Sequence, residues 1–142
     1  MIGTSSPVIE LAEERAWDFL SSQEVGRLAY HLVGEVHIVP INFTVVGGRI
    51  VFRTAPGSKL LGIVMNQDVA FEVDQFDQER ATSVIARGRA AFLDDAEVDA
   101  LGSLPLRQSW VPTDKDAVVA IDVTEISGRS FRLDRRSPAP GA

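Results

Sequence analysis

Apolar and polar residues alternate with a period of two over much of this chain, the spacing that a strand needs to bury one face. The clearest stretch is at residues 69–76: Val69, Phe71 and Val73 fall on one face, and Ala70, Glu72 and Asp74 on the other. Residues 82–93 carry a second long strand pattern, and Gly88 within it signals a bulge or a close backbone approach. Residues 25–33 form a mixed apolar run ending at a Gly34-Glu35 turn, and residues 36–46 are rich in β-branched side chains. Gly47-Gly48 predicts a hairpin, because a two-residue turn needs positive φ, and Arg49–Thr54 is the returning strand. Residues 117–123 and 130–133 predict two further strands.

The helical period is confined to short pieces. At residues 10–20, Ala12, Ala16, Phe19 and Leu20 share one face, with Glu10, Glu13 and Glu14 at the end where the helix dipole favours negative charge. Ala55-Pro56-Gly57 breaks the chain, and Ser58 is placed to cap a short helix through Met65. Residues 94–101 predict another helix, capped by Asp94 or Asp95. Six or seven strands with hairpin connections close most simply on themselves, as a small antiparallel barrel. The expected fold is therefore mainly β (α+β), one domain over residues 1–136, with a disordered tail at 137–142.

Composition narrows the function. A chain of 142 residues with 45% hydrophobic content supports a single packed core. Its net charge of -6 argues against nucleic acid, which calls for a basic face. The absence of cysteine excludes disulfides and thiolate chemistry. No apolar run reaches membrane-spanning length, and the N-terminus lacks a basic start followed by an apolar block. A cytoplasmic protein without membrane contact is the expectation.

Against that acidic background, Arg53, Thr54, Ser58 and Lys59 gather two cations and two hydroxyls in seven positions with no carboxylate among them. The Pro56-Gly57 turn can fold both ends of this segment toward one point, and a helix start adds backbone donors for an anion. Arg53 can hold two oxygens at once, whereas Lys59 acts as a point charge. Taken singly, Ser58 reads more readily as an ordinary cap and Arg53 as a solvated strand residue; it is the group that points to an anion. The spacing is not that of a P-loop. Upstream, Val39-Pro40-Ile41-Asn42 sets a proline within a strand pattern, which is tolerated at an edge or a bulge. Such a place either leaves backbone groups and the Asn42 amide available to a flat heterocycle, or simply protects an edge.

VGRLAY at residues 25–30, IVPINF at 38–43, IVFRTAPGSKL at 50–60, FEVDQFD at 71–77, the Trp110-Val111-Pro112 stretch and EISGRSF at 125–131 together resemble the pyridoxamine 5'-phosphate oxidase-like family of flavin-binding split barrels. The resemblance spans roughly residues 11–133. It implies a homodimer of six-stranded antiparallel split β-barrels with FMN at the interface. Arg53, Thr54, Ser58 and Lys59 would hold the phosphate, and Val39, Pro40, Ile41 and Asn42 would lie along the isoalloxazine ring. Trp110 would approach from the partner subunit. The implied activity is that of a flavin-dependent oxidoreductase passing electrons between a nicotinamide donor and a small substrate. The alternatives are a non-catalytic flavin-binding or storage protein, and a split barrel using F420 or haem. Ala81-Thr82 stand where relatives with the FEVD motif often carry Gly-Trp, and the substrate-phosphate cations of a vitamin B6 oxidase are missing.

Two further groups have plainer readings. His31 and His37 are the chain's two histidines and lack a metal-ligand pattern. Glu72 and Asp74 share a strand face of a kind that is more often solvated than catalytic, with Arg87 and Arg89 as candidate cross-strand partners.

Overall fold

The strand period predicts a sheet, and the computed structural model, which describes residues 8–54, 67–102 and 117–133, is built on one antiparallel sheet. Its elements in chain order are β1 (Val8–Glu10), α1 (Glu13–Ser21), β2 (Val25–Leu32), β3 (Glu35–Asn42), β4 (Thr44–Val46), β5 (Arg49–Thr54), β6 (Gln67–Phe76), β7 (Arg80–Phe92), α2 (Asp95–Ala100) and β8 (Ala117–Arg132). The sheet order is β3-β2-β6-β7-β8-β5-β4, and β1 also pairs with β8. Six of the described strands have six residues or more, and β1 and β4 add three residues each. The expected six-stranded split barrel is thus present, with two short strands extending it. The sheet curls until β3 comes within 8 Å of β5 (Cα to Cα), forming a seam.

Alternation dictates the core. Leu28, Ile41, Phe52, Phe71, Val73, Val84, Val119 and Ile121 face inward and are all but inaccessible. Phe43 and Phe71 meet edge to face with centroids 4.8 Å apart, a favoured aromatic geometry. α1 buries Ala16 and Leu20 against this interior. A smaller cluster lies on the opposite face of the sheet, where Val51, Val118 and Ala120 pack with Leu101 and, from α2, Val98.

Several local readings hold. Gly47 and Gly48 have φ of 54° and 76°, as their hairpin requires. A register shift falls between Arg87 and Gly88. Asp94 caps α2 by a capping box, accepting from the Glu97 N–H while the Glu97 side chain accepts from the Asp94 N–H.

Other readings need correction. α1 starts at Glu13 rather than residue 10, because Val8–Glu10 is drawn into pairing with β8. The first hairpin turns at Val33-Gly34, with Val33 itself at φ 46°. The predicted strand at 36–46 breaks at Phe43, whose N–H donates to the Glu24 carbonyl at 3.1 Å. The two predicted C-terminal strands are one 16-residue strand. The expected helix from Ser58 to Met65 and the expected tail lie outside the described residues. Among the described residues, no helix is long and apolar enough to cross a membrane.

Candidate functional site

Strand alternation sorts the sequence-derived site residues by face. On β3, Ile41 is buried in the core and Val39 packs against it, so only their backbone is available to an outside ligand. Pro40 and Asn42 project from the outer face, on a strand that is an edge of the described sheet. That edge explains how a proline is accommodated. On β5, Arg53 is half-buried and Thr54 is buried. As consecutive strand residues they project from opposite faces. Arg53 continues the outer face of Val51, and Thr54 the inner face of Phe52. Across the seam, Pro40, Asn42 and Arg53 therefore share one side of the sheet. Arg53 engages no carboxylate among the described residues, whereas Arg27, Arg49, Arg87 and Arg89 each do. Ser58, Lys59 and Trp110 lie outside the described residues.

Register extends this outer face. One row runs Pro40, Arg27, Glu72, Ile85, Ser127 across five strands. In it Arg27 grips two of the three carboxylates of β6. Its Nε donates to Glu72 Oε1 at 2.7 Å, and its second amino group donates to Asp74. Burial, together with a hydrogen bond to Asp74, holds the Glu72 carboxyl above the usual glutamate range, and Arg27 only partly opposes this. Asp74 is held below its ordinary value, first by the hydrogen bond with Glu72 and then by Arg27. Burial works to lower Arg27, but its two partners outweigh it and keep the guanidinium firmly charged. The three groups form one coupled unit in which Glu72 is the last to ionise.

This unit is what sequence reasoning missed. Glu72 and Asp74 stood out, but their cation is Arg27 on β2. Arg87 instead meets Glu125 at 3.0 Å, and Arg89 meets Asp68 at 3.6 Å. Arg27 sits at an outward position within the apolar VGRLAY run, and that lone charge was the available signal.

The histidines project from opposite faces. His31 is exposed outside, and His37 turns inward to stack on Tyr30, with centroids 5.4 Å apart. His37 Nε2 lies 3.1 Å from Glu35 Oε2 without a directional hydrogen bond. The pair cannot converge on one ion, and no metal-ligand group occurs among the described residues. Two hollows mark the outer face. One of about 560 Å³ is lined by Ala29, His31, Val36, Ala70, Arg87 and Arg89. The other, of about 510 Å³, lies beside Glu72 and Asp74.

Residues 12–130 match the family described as pyridoxamine 5'-phosphate oxidase. Among solved structures, the FAD binding protein of Mycobacterium smegmatis is 37% identical, with a TM-score of 0.81 over 89% of this chain and 100% of the other. A candidate pyridoxamine 5'-phosphate oxidase from Corynebacterium glutamicum is 35% identical, with a TM-score of 0.79 over 94% and 100%. The uncharacterized protein Rv0080 of Mycobacterium tuberculosis is 33% identical over 92% of this chain and 90% of its own length. With that match over most of its length and a curled antiparallel half-barrel of the same kind, this chain belongs to the pyridoxamine 5'-phosphate oxidase family of split barrels.

Proposed function

We propose that this protein is a cytoplasmic, flavin-dependent oxidoreductase that works as a homodimer with FMN between its subunits. The observation that carries the reading is the seam. There β3, with Pro40 and Asn42 on its outer face, comes within 8 Å of β5 (Cα to Cα), on whose outer face Arg53 has no carboxylate partner among the described residues. Such a cation suits a phosphate, with Ser58 and Lys59 as the other side-chain ligands, whereas Thr54, whose side chain turns inward, can offer only its backbone. The β3 edge and the Asn42 amide suit the rim of a flat heterocycle, with backbone of Val39 and Ile41 alongside. The partner subunit's Trp110 would supply the far wall. When bound, the flavin supplies the redox chemistry, and the protein supplies position, charge and exclusion of water.

The test is the absorption spectrum of the purified protein, followed by the mass of the cofactor released on denaturation. FMN is expected. The FAD binding protein from Mycobacterium smegmatis favours FAD as the second reading, and a spectrum of F420, of haem or of no chromophore overturns both. Arg53→Ala with Lys59→Ala should weaken FMN binding strongly, since a hydrogen bond to a charged group contributes about 1.5–3 kcal/mol. Unchanged affinity in the folded double variant rejects this phosphate site. NAD(P)H-driven bleaching of the flavin absorbance separates an oxidoreductase from a storage protein.

A further inference from the structure

Between α1 and the strands β1, β7 and β8 lies a hollow of about 510 Å³, within the roughly 300–1,000 Å³ of small-molecule sites. Its walls are of two kinds. Ile9, Leu11 and Phe19 make an apolar side, on which Ile9 is 55% exposed. Arg15, Arg80, Thr82 and Ser130 make a side of hydrogen-bond donors. Register sets Ile9, Ser130 and Thr82 in one row across β1, β8 and β7, on the face that carries Val84 into the core. Pro40, Asn42 and Arg53 stand on the opposite face. The hollow is therefore separate from the proposed flavin site, and what it binds is independent of that reading.

Net charge does not choose the occupant. Asp18 lines the hollow beside the two arginines, and Glu14 and Glu79 flank them in sequence. Arg132 stands in register with Arg80, and Glu10 and Arg129 face the other way. The Asp77 carboxylate is taken up by the N–H groups of Glu79 and Arg80. Hydrogen-bond direction does choose it. Arg80 donates to Ser130 Oγ from Nε at 3.3 Å and from its second amino nitrogen at 3.2 Å, and Thr82 Oγ1 donates to the same oxygen at 3.5 Å. With Ser130 Oγ occupied as an acceptor, its own hydrogen is left to donate. The Arg80 guanidinium is pinned in place, yet it carries more N–H groups than Ser130 can take. Arg15 and Arg80 pair with no carboxylate among the described residues, Asp18 included. The hollow presents positioned donors without an engaged acceptor, and an acceptor-rich guest answers them.

We propose that this hollow binds a small organic carboxylate, its oxygens on the donors of Arg15, Arg80 and Ser130 and its apolar body on Ile9, Leu11 and Phe19. A carboxylate is acceptor-only and planar, and it matches the fork of a guanidinium. An inorganic oxyanion would meet the same donors but leave the apolar side bare to water. A neutral apolar guest would cover that side and leave the donors unanswered. The occupant would tie α1, through Arg15, to β7, through Arg80.

The experiment titrates benzoate, its neutral analogue benzamide and inorganic phosphate into the ¹⁵N-labelled full chain and follows amide shifts. Benzoate should move Arg15, Phe19, Arg80 and Ser130, and each of the other two should bind about tenfold more weakly or worse. Arg15→Met and Arg80→Met alter exposed side chains and should each reduce benzoate affinity by about tenfold or more, in chains whose distant resonances are unmoved. Arg132→Met removes a nearby cation that does not line the hollow and should leave the affinity within about twofold. The proposal is overturned by no shift at about 10 mM benzoate, well above a ~1 mM weak-ligand affinity, or by shifts confined to the opposite face. Equal binding of benzamide rejects the arginine donors, and equal binding of phosphate rejects the apolar side. An Arg80→Met chain that folds and keeps its affinity, or an Arg132→Met chain that loses as much as Arg80→Met, overturns it as well.

Discussion

At the scale of single residues, glycine matters here for two different reasons, and substitution separates them. Gly48 sits at φ 76° with nothing near a would-be Cβ. Gly48→Ala should therefore cost only the left-handed backbone strain, about 1–2 kcal/mol. A Cβ on Gly88 would lie 2.1 Å from the Asp122 carbonyl oxygen, which is backbone and cannot rotate away. Gly88→Ala should destabilise by clearly more than Gly48→Ala, or prevent folding, in urea denaturation of the two variants. Equal midpoints would show that the β7–β8 backbone relaxes around the methyl. Both glycines were legible in the sequence, because a turn and a bulge are local events. The Arg27 partnership was not, since no local rule specifies that residue 27 pairs with residue 72. The same cluster has opposing pH terms. Glu72, with its pKa raised, favours the folded state at low pH and loses that contribution as pH rises through its folded value. Asp74, lowered, contributes above its unfolded value and loses that as pH falls. With these side chains 28–42% exposed, solvent screening keeps the net effect small.

At the scale of elements, α2 shows how a short helix persists. It spans six residues and buries none of its own fully, yet Val98 and the following Leu101 cover Val51, Val118 and Ala120. A helix this short is marginal alone, so its capping box and this packing must sustain it. Asp94→Ala should cost about 1 kcal/mol. Hydrogen exchange should locate the loss at the Glu97 amide, and an unchanged Glu97 rate would assign the helix to packing alone. The Asp94 cap was readable because capping is a spacing rule. The continuity of β8 was not. Its inward positions there are Ile126, Gly128 and Ser130, largely small because α1 presses close: a Cβ on Gly128 would meet Leu11, Val84 and Ala16 at 2.9–3.4 Å. Small inward residues erase the apolar alternation by which a strand is recognised.

At the scale of the whole molecule, Val36 and Ile38 remain 71% and 64% exposed on the β3 edge. An apolar, exposed edge invites a partner. The proposed dimer should appear as a single dimeric species in sedimentation velocity. Ile38→Lys should shift it toward monomer and weaken FMN retention together. A wild-type monomer at working concentration would remove the second wall from the proposed site. The barrel architecture was readable from strand count and hairpins, but the exposure of Val36 and Ile38 was not, because an exposed valine on an edge carries the same letter as a buried one. β8 has a different consequence. It holds β7 along one edge and both β5 and β1 along the other, so Val8 pairs with Phe131 near the far end of the described chain. As the polypeptide leaves the ribosome, β5 and β1 must wait for almost all of the remaining chain before their shared neighbour arrives. During that interval the nascent barrel exposes the very rims that the finished sheet conceals, and a chaperone able to shield open strands should find its substrate in this intermediate.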